Sequence, residues 1–579
     1  MNSFELELFF KNPASKKQKQ YEAVRAFVVE KLSAKEIAEK YCYKLSSVYT
    51  FIKMAKSGEI NFFPETKKGP KQRHFSFKIQ KQIFRYRNKN MSHTDICNLL
   101  NLKGIQISAQ TVSRILVDAG FEKLKRRSNK ELGLTVKNKI IPKKSEILDF
   151  NKLKKFSVDT PVAGIFFFIP YIIETGIIDI LQKSPMPSSS VIGTLQACLS
   201  MLALKLIGNE RLSNMDSYDK EPGLGVFAGL NVLPKNTYMS TYSCLCSTEM
   251  ILDFQKQIVK NLKHRYPEFY NGNYINLDFH SIPHYGEFSQ MEKVWAGAKH
   301  KTMKGADTVI AQDAKSNMIL YTRADILRKE EADEVMKFVK YWKEISGNVS
   351  QTLVFDCKFT KYKVLDTLDD DNVKFITLRK RTKKLIDEIL SIDDENWTKV
   401  RLDIPKRKYK KVSVFEQNVK LSNCKNEFRQ IAIKDHGREN PTLIISNNKN
   451  LSIKSILEVY AQRWRVENKL AELVAFFNLN ALSSPLMIRI HFDMLWTMIA
   501  DTLYHIFAQD LRRFENNLAP TIFKKFINIP GRVVYDGNKF IIKIRKRTHT
   551  PILKDIVKLQ NPITVPWLNN KKLEIIWTP

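Results

Sequence analysis

Between residues 273 and 479 the chain alternates strand-like and helix-like segments in an order that few folds accommodate, and acidic residues fall where strands end. NYINLDFHSIP (273–283) alternates as a strand carrying Asp278, and DTVIAQDAKSNMILYTRAD (307–325) reads as two strands joined by a turn at Lys315 to Asn317. KEEADEVMKFVKYWKEI (329–345) has helical spacing. QTLVFDCKF (351–359) is an apolar strand ending in Asp356, YKVLDTLDD (362–370) a short helix, and VKFITLRKR (373–381) another strand. A lysine-rich segment of β propensity (397–421), then FRQIAIKD and TLIISNN, interrupts this pattern as an inserted strand-rich stretch. The chain then enters a long predicted helix, 452–479, with Glu467 in its middle. Arg463 and Tyr460 lie four and seven residues before Glu467, which puts all three on one helical face.

Three strands, helix, strand, helix, strand is the RNase H-like order. The fold class expected is therefore a multidomain α+β and α/β protein whose core is an RNase H-like mixed sheet with a β-rich insertion. The acidic residues suit a particular chemistry. Two divalent cations about 4 Å apart can activate a water or a 3′ hydroxyl on one side of a phosphodiester and stabilise the leaving oxygen on the other. Hard Mg²⁺, with Mn²⁺ as a possible substitute, takes carboxylate oxygens and keeps water and phosphate in its remaining positions. Asp278 and Asp356 on neighbouring strands and Glu467 on a packed helix form such a set, as both catalytic and metal-holding residues. Arg463 and Tyr460 are placed to hold adjacent phosphates, since a guanidinium fork matches phosphate oxygens. Each aspartate taken alone reads equally well as a turn, cap or lysine-paired residue. Asp307, Asp313 and Asp325 are lesser candidates at strand edges or turns. His280 and His284, with Glu287 nearby, have H-x3-H spacing, but Pro283 excludes a helix that would hold both on one face, so a zinc site is disfavoured.

The partner is indicated by charge. The 579 residues carry 95 Lys and Arg against 60 Asp and Glu, a net +35, which points to a polyanion and first to double-stranded DNA. Residues 1–150 hold 31 basic against 14 acidic residues, a local +17. This front region reads as two similar trihelical units. In the first, a helix at 16–31 precedes AKEIAEKY capped by Ser33 and SVYTFIKMAK capped by Ser46; in the second, 76–90 precedes HTDICNLLN capped by Ser92 and AQTVSRILVDAG capped by Ser108. A helix-turn-helix places its last helix in the major groove, which makes Gln110, Thr111, Ser113 and Arg114 candidate DNA contacts. A helical bundle with a solvated basic face is the plainer alternative. TKKGPKQRH (66–74) between the units reads as a linker, crossing the minor groove or merely solvated. The clusters Lys299 to Lys304, Arg379 to Lys384 and Lys406 to Lys411 suit a DNA backbone or a solvated face.

Other features exclude more than they assign. Seven dispersed cysteines lack a disulfide or C-x-x-C zinc pattern and suit a reducing compartment; Cys244 and Cys246 read as small buried residues. MNSFELELFF does not have the layout of a signal peptide, and Val162 to Ile173, the longest apolar run, is too short to span a bilayer. The glycines of 218–238 do not form a phosphate loop. VIGTLQACLSMLALKLIG (191–208) reads as a buried helix, and GRVVYDGNKFIIKIRKR (531–547) as a hairpin turning at Asp536 and Gly537.

The blocks LDFHSIPHYGE, LVFDCKFTKYKVLDTL and YAQRWRVENKL resemble the Asp, Asp, Glu motifs of DDE-type insertion-sequence transposases that carry a β-rich insertion before the glutamate. The front region resembles the paired-type helix-turn-helix region of many transposases, so the likeness extends over most of the chain. Many members carry Tyr-x2-Arg-x3-Glu-x6-Lys in the last helix; Tyr460, Arg463 and Glu467 match, while the lysine position is Val474 and Lys469 falls on another face. The resemblance implies binding of terminal inverted repeats, metal-dependent phosphodiester hydrolysis and strand transfer into target DNA. A homodimer on DNA is expected because two ends must be joined, and a cytoplasmic, nucleoid-associated location is expected if the source is bacterial. Two alternatives stay open: a decayed transposase acting as a sequence-specific DNA-binding regulator, and an RNase H-like nuclease. The domain boundaries expected are helix-turn-helix units at 1–60 and 76–130 with linkers at 61–75 and 131–150. A helical connector follows at 151–270, then the core at 271–385, the insertion at 386–450, the glutamate helix and its followers at 451–515, and a hairpin region at 516–579.

Overall fold

Ser33, Ser92 and Ser108 cap helices at the front of the chain, as their spacing predicts. In the computed structural model, which describes residues 10, 13, 15–63, 75–124, 144–209, 218, 220–286, 291–405, 407–481, 484 and 486–579, the first three helices are α1 (Lys16–Val28), α2 (Ala34–Lys40) and α3 (Leu45–Lys56). Ser33 and Glu36 form a reciprocal capping box at α2, which satisfies two otherwise unpaired backbone N–H groups. The third helix starts one residue before Ser46, with Lys44 at the cap position and no side-chain cap, so Ser46 lies inside the helix rather than capping it. A second set follows: α4 (Phe77–Arg87), α5 (His93–Leu102), boxed by Ser92 and Asp95, and α6 (Ala109–Asp118), whose Thr111 N–H donates to Ser108. Each set closes on its own small core, Ala26, Ile37 and Val48 in one and Ile83, Ile96, Leu100 and Val112 in the other. The first nine residues, the linker at 66–74 and residues 131–143 lie outside the described residues.

Residues 1–139 and 140–579 are separate compact units. The second begins with β1 (Phe156–Thr160), followed by the buried helix α7 (Thr194–Leu206) and by α8 (Thr248–Arg265). The core then runs β2 (Tyr274–Pro283), β3 (Lys293–Ala296), β4 (Lys301–Asp313), β5 (Ile319–Ile326), α9 (Glu334–Ser346), β6 (Thr352–Phe355), α10 (Tyr362–Asp370) and β7 (Phe375–Leu378). The insertion supplies β8 (Thr398–Arg401), β9 (Lys411–Lys420), β10 (Glu427–Lys434) and β11 (Thr442–Ser446), and three helices follow, α11 (Ile453–Ala461), α12 (Trp464–Ala475) and α13 (Met487–Gln509). The chain closes with β12 (Gly531–Tyr535), β13 (Phe540–Arg545), β14 (Ile563–Val565) and β15 (Lys571–Thr578).

Two sheets result. In the larger, β5, β4 and β2 are antiparallel neighbours, and β6 and β7 extend it parallel to β2. Taken in chain order without β3, which pairs with β4 as a short arm, the five strands lie in space as third, second, first, fourth, fifth. The insertion does not break this sheet. β11 pairs antiparallel with β7, Ile444 opposite Leu378, and β10, β9 and β8 continue outward. Ile376, Ile431, Ile444 and Ile456 bury a common apolar patch against α11, which explains why the added strands stay attached. The smaller sheet has the order β1, β12, β13, β15, β14. Its strand β1 pairs with β12, Phe156 opposite Tyr535, so the expected helical connector and the C-terminal hairpin region share one sheet and are not independent modules.

α13 is buried on nearly all faces, with Trp496 and Tyr504 fully covered, and forms the spine of the large core. Burying such side chains contributes roughly 1.5–3 kcal/mol each by area. No single helix among the described residues is long and apolar enough to cross a membrane. The helix predicted over 452–479 is broken: α11 ends at Ala461 and α12 starts at Trp464. The turn between them is tightened by N–H groups of Arg463, Arg465 and Val466 bonding to carbonyls three residues back, at 3.0–3.1 Å.

Candidate active site

Parallel pairing of β2 with β6 decides where the first two carboxylates sit. The ladder pairs Leu277 with Phe355, so Asp278 and Asp356 follow at adjacent positions as the strands diverge. Divergence at the carboxyl ends of parallel strands opens a crevice, the usual place for a site in such sheets. Both side chains are held locally: Asp278 Oδ1 accepts from the Phe279 N–H at 3.0 Å, and Asp356 Oδ1 from the Cys357 N–H at 2.6 Å, where Asp356 caps a short 3₁₀ turn.

The third carboxylate arrives from α12. Because the helix breaks at Gln462 and Arg463, Glu467 stands in the first turn of α12 instead of the middle of a long helix. Arg463 ties the set together: Nη1 donates to Asp278 Oδ2 at 2.9 Å and Nη2 to Glu467 Oε1 at 3.0 Å. Arg463 and Asp278 are nearly enclosed, 15% and 14% exposed, whereas Glu467 is 58% exposed. The Asp278 carboxyl is pushed up to about 6, chiefly by burial, with Arg463 opposing and the negative charges of Asp356 and Glu467 adding to the rise. The guanidinium of Arg463 loses solvation, but Asp278, Tyr460, Asp356 and Glu467 outweigh that loss and hold it more firmly protonated than usual. Tyr460 lies with its ring 5.9 Å from the guanidinium carbon, its hydroxyl shifted up by burial and therefore neutral.

Among the described residues no three His, Cys, Asp or Glu side chains cluster tightly enough to hold a metal ion as they stand. The position bridging Asp278 and Glu467 is taken by the Arg463 guanidinium. The chemistry of the set nonetheless suits a hard divalent ion: three carboxylates, one of them enclosed, whose mutual repulsion is opposed by a cation. His280 Nε2 pairs with Asn480 Oδ1 at 2.7 Å, no metal-holding group among the described residues includes His280 or His284, and Glu287 lies outside the described residues.

Several neighbours could not be read from spacing. Lys358, two residues after Asp356, bonds to Asp307 at 2.6 Å and Glu331 at 3.2 Å, and its ammonium lies 4.4 Å from the Phe279 ring centre. Asp307 is therefore committed to Lys358 and Ser281, and Asp313 to the turn that follows it. The only sequence hint was the lysine itself in LVFDCKF. Lys469 is buried, bonding to Asp501 at 2.6 Å and Glu472 at 3.0 Å, so it is committed to an ion-pair cluster. Arg379 and Arg381 tie β7 to the insertion through Gln430 and the Pro441 carbonyl. Lys406 lies outside the described residues. Beside Asp356 and Glu467, a cavity of about 880 Å³ has an apolar floor of Leu402, Ile404 and Leu457 and cationic Arg407, Arg438 and Arg465 around it. In the first unit, Gln110 and Arg114 on α6 are exposed; Thr111 and Ser113 are half-buried, and the Thr111 hydroxyl bonds to Ser108 at 2.8 Å.

Residues 277–502 match the family described as transposase DDE domain. No curated protein matches the chain. Among solved structures it is similar to a piggyBac transposase synaptic complex with hairpin DNA, at 11% identity over 65% of this chain and 83% of that one, with a TM-score of 0.30. A pre-cleavage Mos1 transpososome has 10% identity over 62% of this chain and 77% of that one, TM-score 0.14, and a Mos1 mariner paired-end complex with Mn has the same identity and coverage, TM-score 0.13.

Proposed function

We propose that this chain, a DDE-type DNA transposase by its DDE domain at residues 277–502, cuts and joins DNA with Asp278, Asp356 and Glu467 as its metal-holding carboxylates. The observation that carries the assignment is the Arg463 bridge: it gathers Asp278 and Glu467, distant in sequence, at the crevice where Asp356 follows β6. The strand order supports an RNase H-like core. DDE transposases use divalent metal ions; Mg²⁺ is the ion proposed here, with Mn²⁺ as substitute, because the donors are all carboxylate.

A bound ion would supply activation of the attacking water or 3′ hydroxyl and stabilisation of the leaving oxygen. The protein's own groups do the rest. The local N–H bonds fix one oxygen of Asp278 and of Asp356, and the other oxygen of Asp278 accepts from Arg463. Tyr460, neutral, donates a hydrogen bond to a phosphate oxygen, and Arg463 offers a planar fork to the next. Hydrolysis at an element end frees a 3′ hydroxyl, which then attacks a phosphodiester of target DNA, with no covalent protein intermediate.

The trihelical units at 16–56 and 77–118 serve as helix-turn-helix readers of terminal inverted repeats, with Gln110 and Arg114 reaching base edges. Thr111 and Ser113, near the start of the same helix, face the same groove. Joining two ends calls for a homodimer on DNA, and a DNA substrate places the protein at the nucleoid in a bacterial cell.

The test is cleavage of a labelled duplex taken from the DNA flanking the coding region, with Mg²⁺ or with EDTA. Asp278→Ala, Asp356→Ala and Glu467→Ala are each expected to abolish nicking while leaving DNA binding intact. Full activity in Glu467→Ala would overturn the third ligand. Specific binding without cleavage under any metal would favour a decayed element acting as a regulator.

A further inference from the structure

We infer that Arg463 is an exchangeable internal counterion: it neutralises the carboxylates when no metal is bound, and metal binding transfers it to a DNA phosphate. This rests on the three-carboxylate reading above. Three observations lead to it. The guanidinium bridges Asp278 and Glu467, each at hydrogen-bond distance, which is the bridging position a divalent ion would need. Its Nε–H is buried without a hydrogen-bond partner among the described residues, so the resting contact leaves one donor unsatisfied. Arg463 stands in the tightened turn between α11 and α12, where the side chain can be re-aimed without unwinding either helix.

The surroundings dictate when it can leave. Arg463 also lines the 880 Å³ cavity that holds Arg407, Arg438 and Arg465. Swinging into that space alone would bring it among like charges and abandon two carboxylates. Metal on the carboxylates together with phosphate in the cavity removes both penalties at once. Metal and DNA are thereby coupled through one side chain, and linkage requires the coupling to be reciprocal. The device would keep the metal site weak until a DNA end is seated beside it.

The experiment is Mn²⁺ titration of the full-length protein, read from the electron paramagnetic resonance signal of free Mn²⁺, with and without a duplex from the DNA flanking the coding region. Arg463→Met is expected to bind Mn²⁺ about tenfold more tightly than wild type without DNA, a size ordinary for such couplings. The duplex should tighten Mn²⁺ binding to wild type by a similar factor and leave the variant unchanged. Unchanged or weaker Mn²⁺ binding by Arg463→Met without DNA, or equal tightening of both proteins by the duplex, would overturn the exchange. Arg463→Lys guards against misfolding of the first variant: it keeps one charge but cannot span two carboxylates, and should fall between the two. Wild-type affinity in Arg463→Lys would overturn the proposal as well. Failure of the underlying reading is recognised separately, as Mn²⁺ binding insensitive to both Asp356→Asn and Glu467→Gln.

Discussion

His491 lies in α13 with 1% of its surface exposed, and burial, reinforced by Arg323, lowers its pKa to about 4 from an ordinary 6.5. A folded-state pKa below the unfolded one contributes stability that is present above pH 6.5 and lost as pH falls toward 4, because the unfolded chain takes up the proton first. His505 is shifted the same way by burial and by Lys469. Asp278, shifted up, works in the opposite direction, so the informative comparison is between wild type and His491→Gln. Urea unfolding at pH 8 and pH 5 should show wild type losing on the order of 2 kcal/mol more than the variant. A pH-independent difference would mean His491 takes up its proton at the same pH in both states. Lys469 makes a second prediction. Its two carboxylate partners are buried with it, so Lys469→Met leaves uncompensated charge and should cost about 3–5 kcal/mol in the same assay, with no change in the salt dependence of DNA binding. A weaker salt slope would restore Lys469 as a phosphate contact. That a lysine lies near Glu467 is plain in the sequence; which way it faces depends on Asp501, 32 residues further along.

Among the elements, the helices bounded by serine caps follow the sequence closely, because a cap is a contact between residues three apart and needs no tertiary partner. Ser108→Ala should therefore destabilise the α4–α6 bundle by about 1 kcal/mol and weaken DNA binding through fraying of α6, checked by thermal unfolding of the full chain alongside a binding titration. Unchanged melting would mean the cap contributes nothing there. The break between α11 and α12 is the reverse case. Helical periodicity runs through 452–479 without a Pro or Gly to mark a stop, yet Gln462 and Arg463 leave the helix where Arg463 is drawn to Asp278, 185 residues earlier. Likewise, β propensity in 397–446 was legible, but that β11 would join β7 and continue the core sheet was not, since strand pairing is set by partners and not by local pattern.

For the whole molecule, a net charge of +35 is a property of composition alone, and it predicts DNA affinity that falls steeply with salt. If six to ten phosphates are neutralised, affinity should drop by about 10³–10⁵ between 50 and 200 mM salt; a flat dependence would contradict phosphate-dominated binding. The sequence by itself determined the order of the core strands and helices and the helix starts capped by Ser33, Ser92 and Ser108, which rest on local spacing, and the net charge, which rests on composition. Only the tertiary structure decided that β1 and β12 share a sheet, that Lys469 is spent on a buried ion pair, and that Arg463 stands between Asp278 and Glu467. Those facts depend on contacts between residues far apart in the chain, whose energies are set by burial and by which charges meet there.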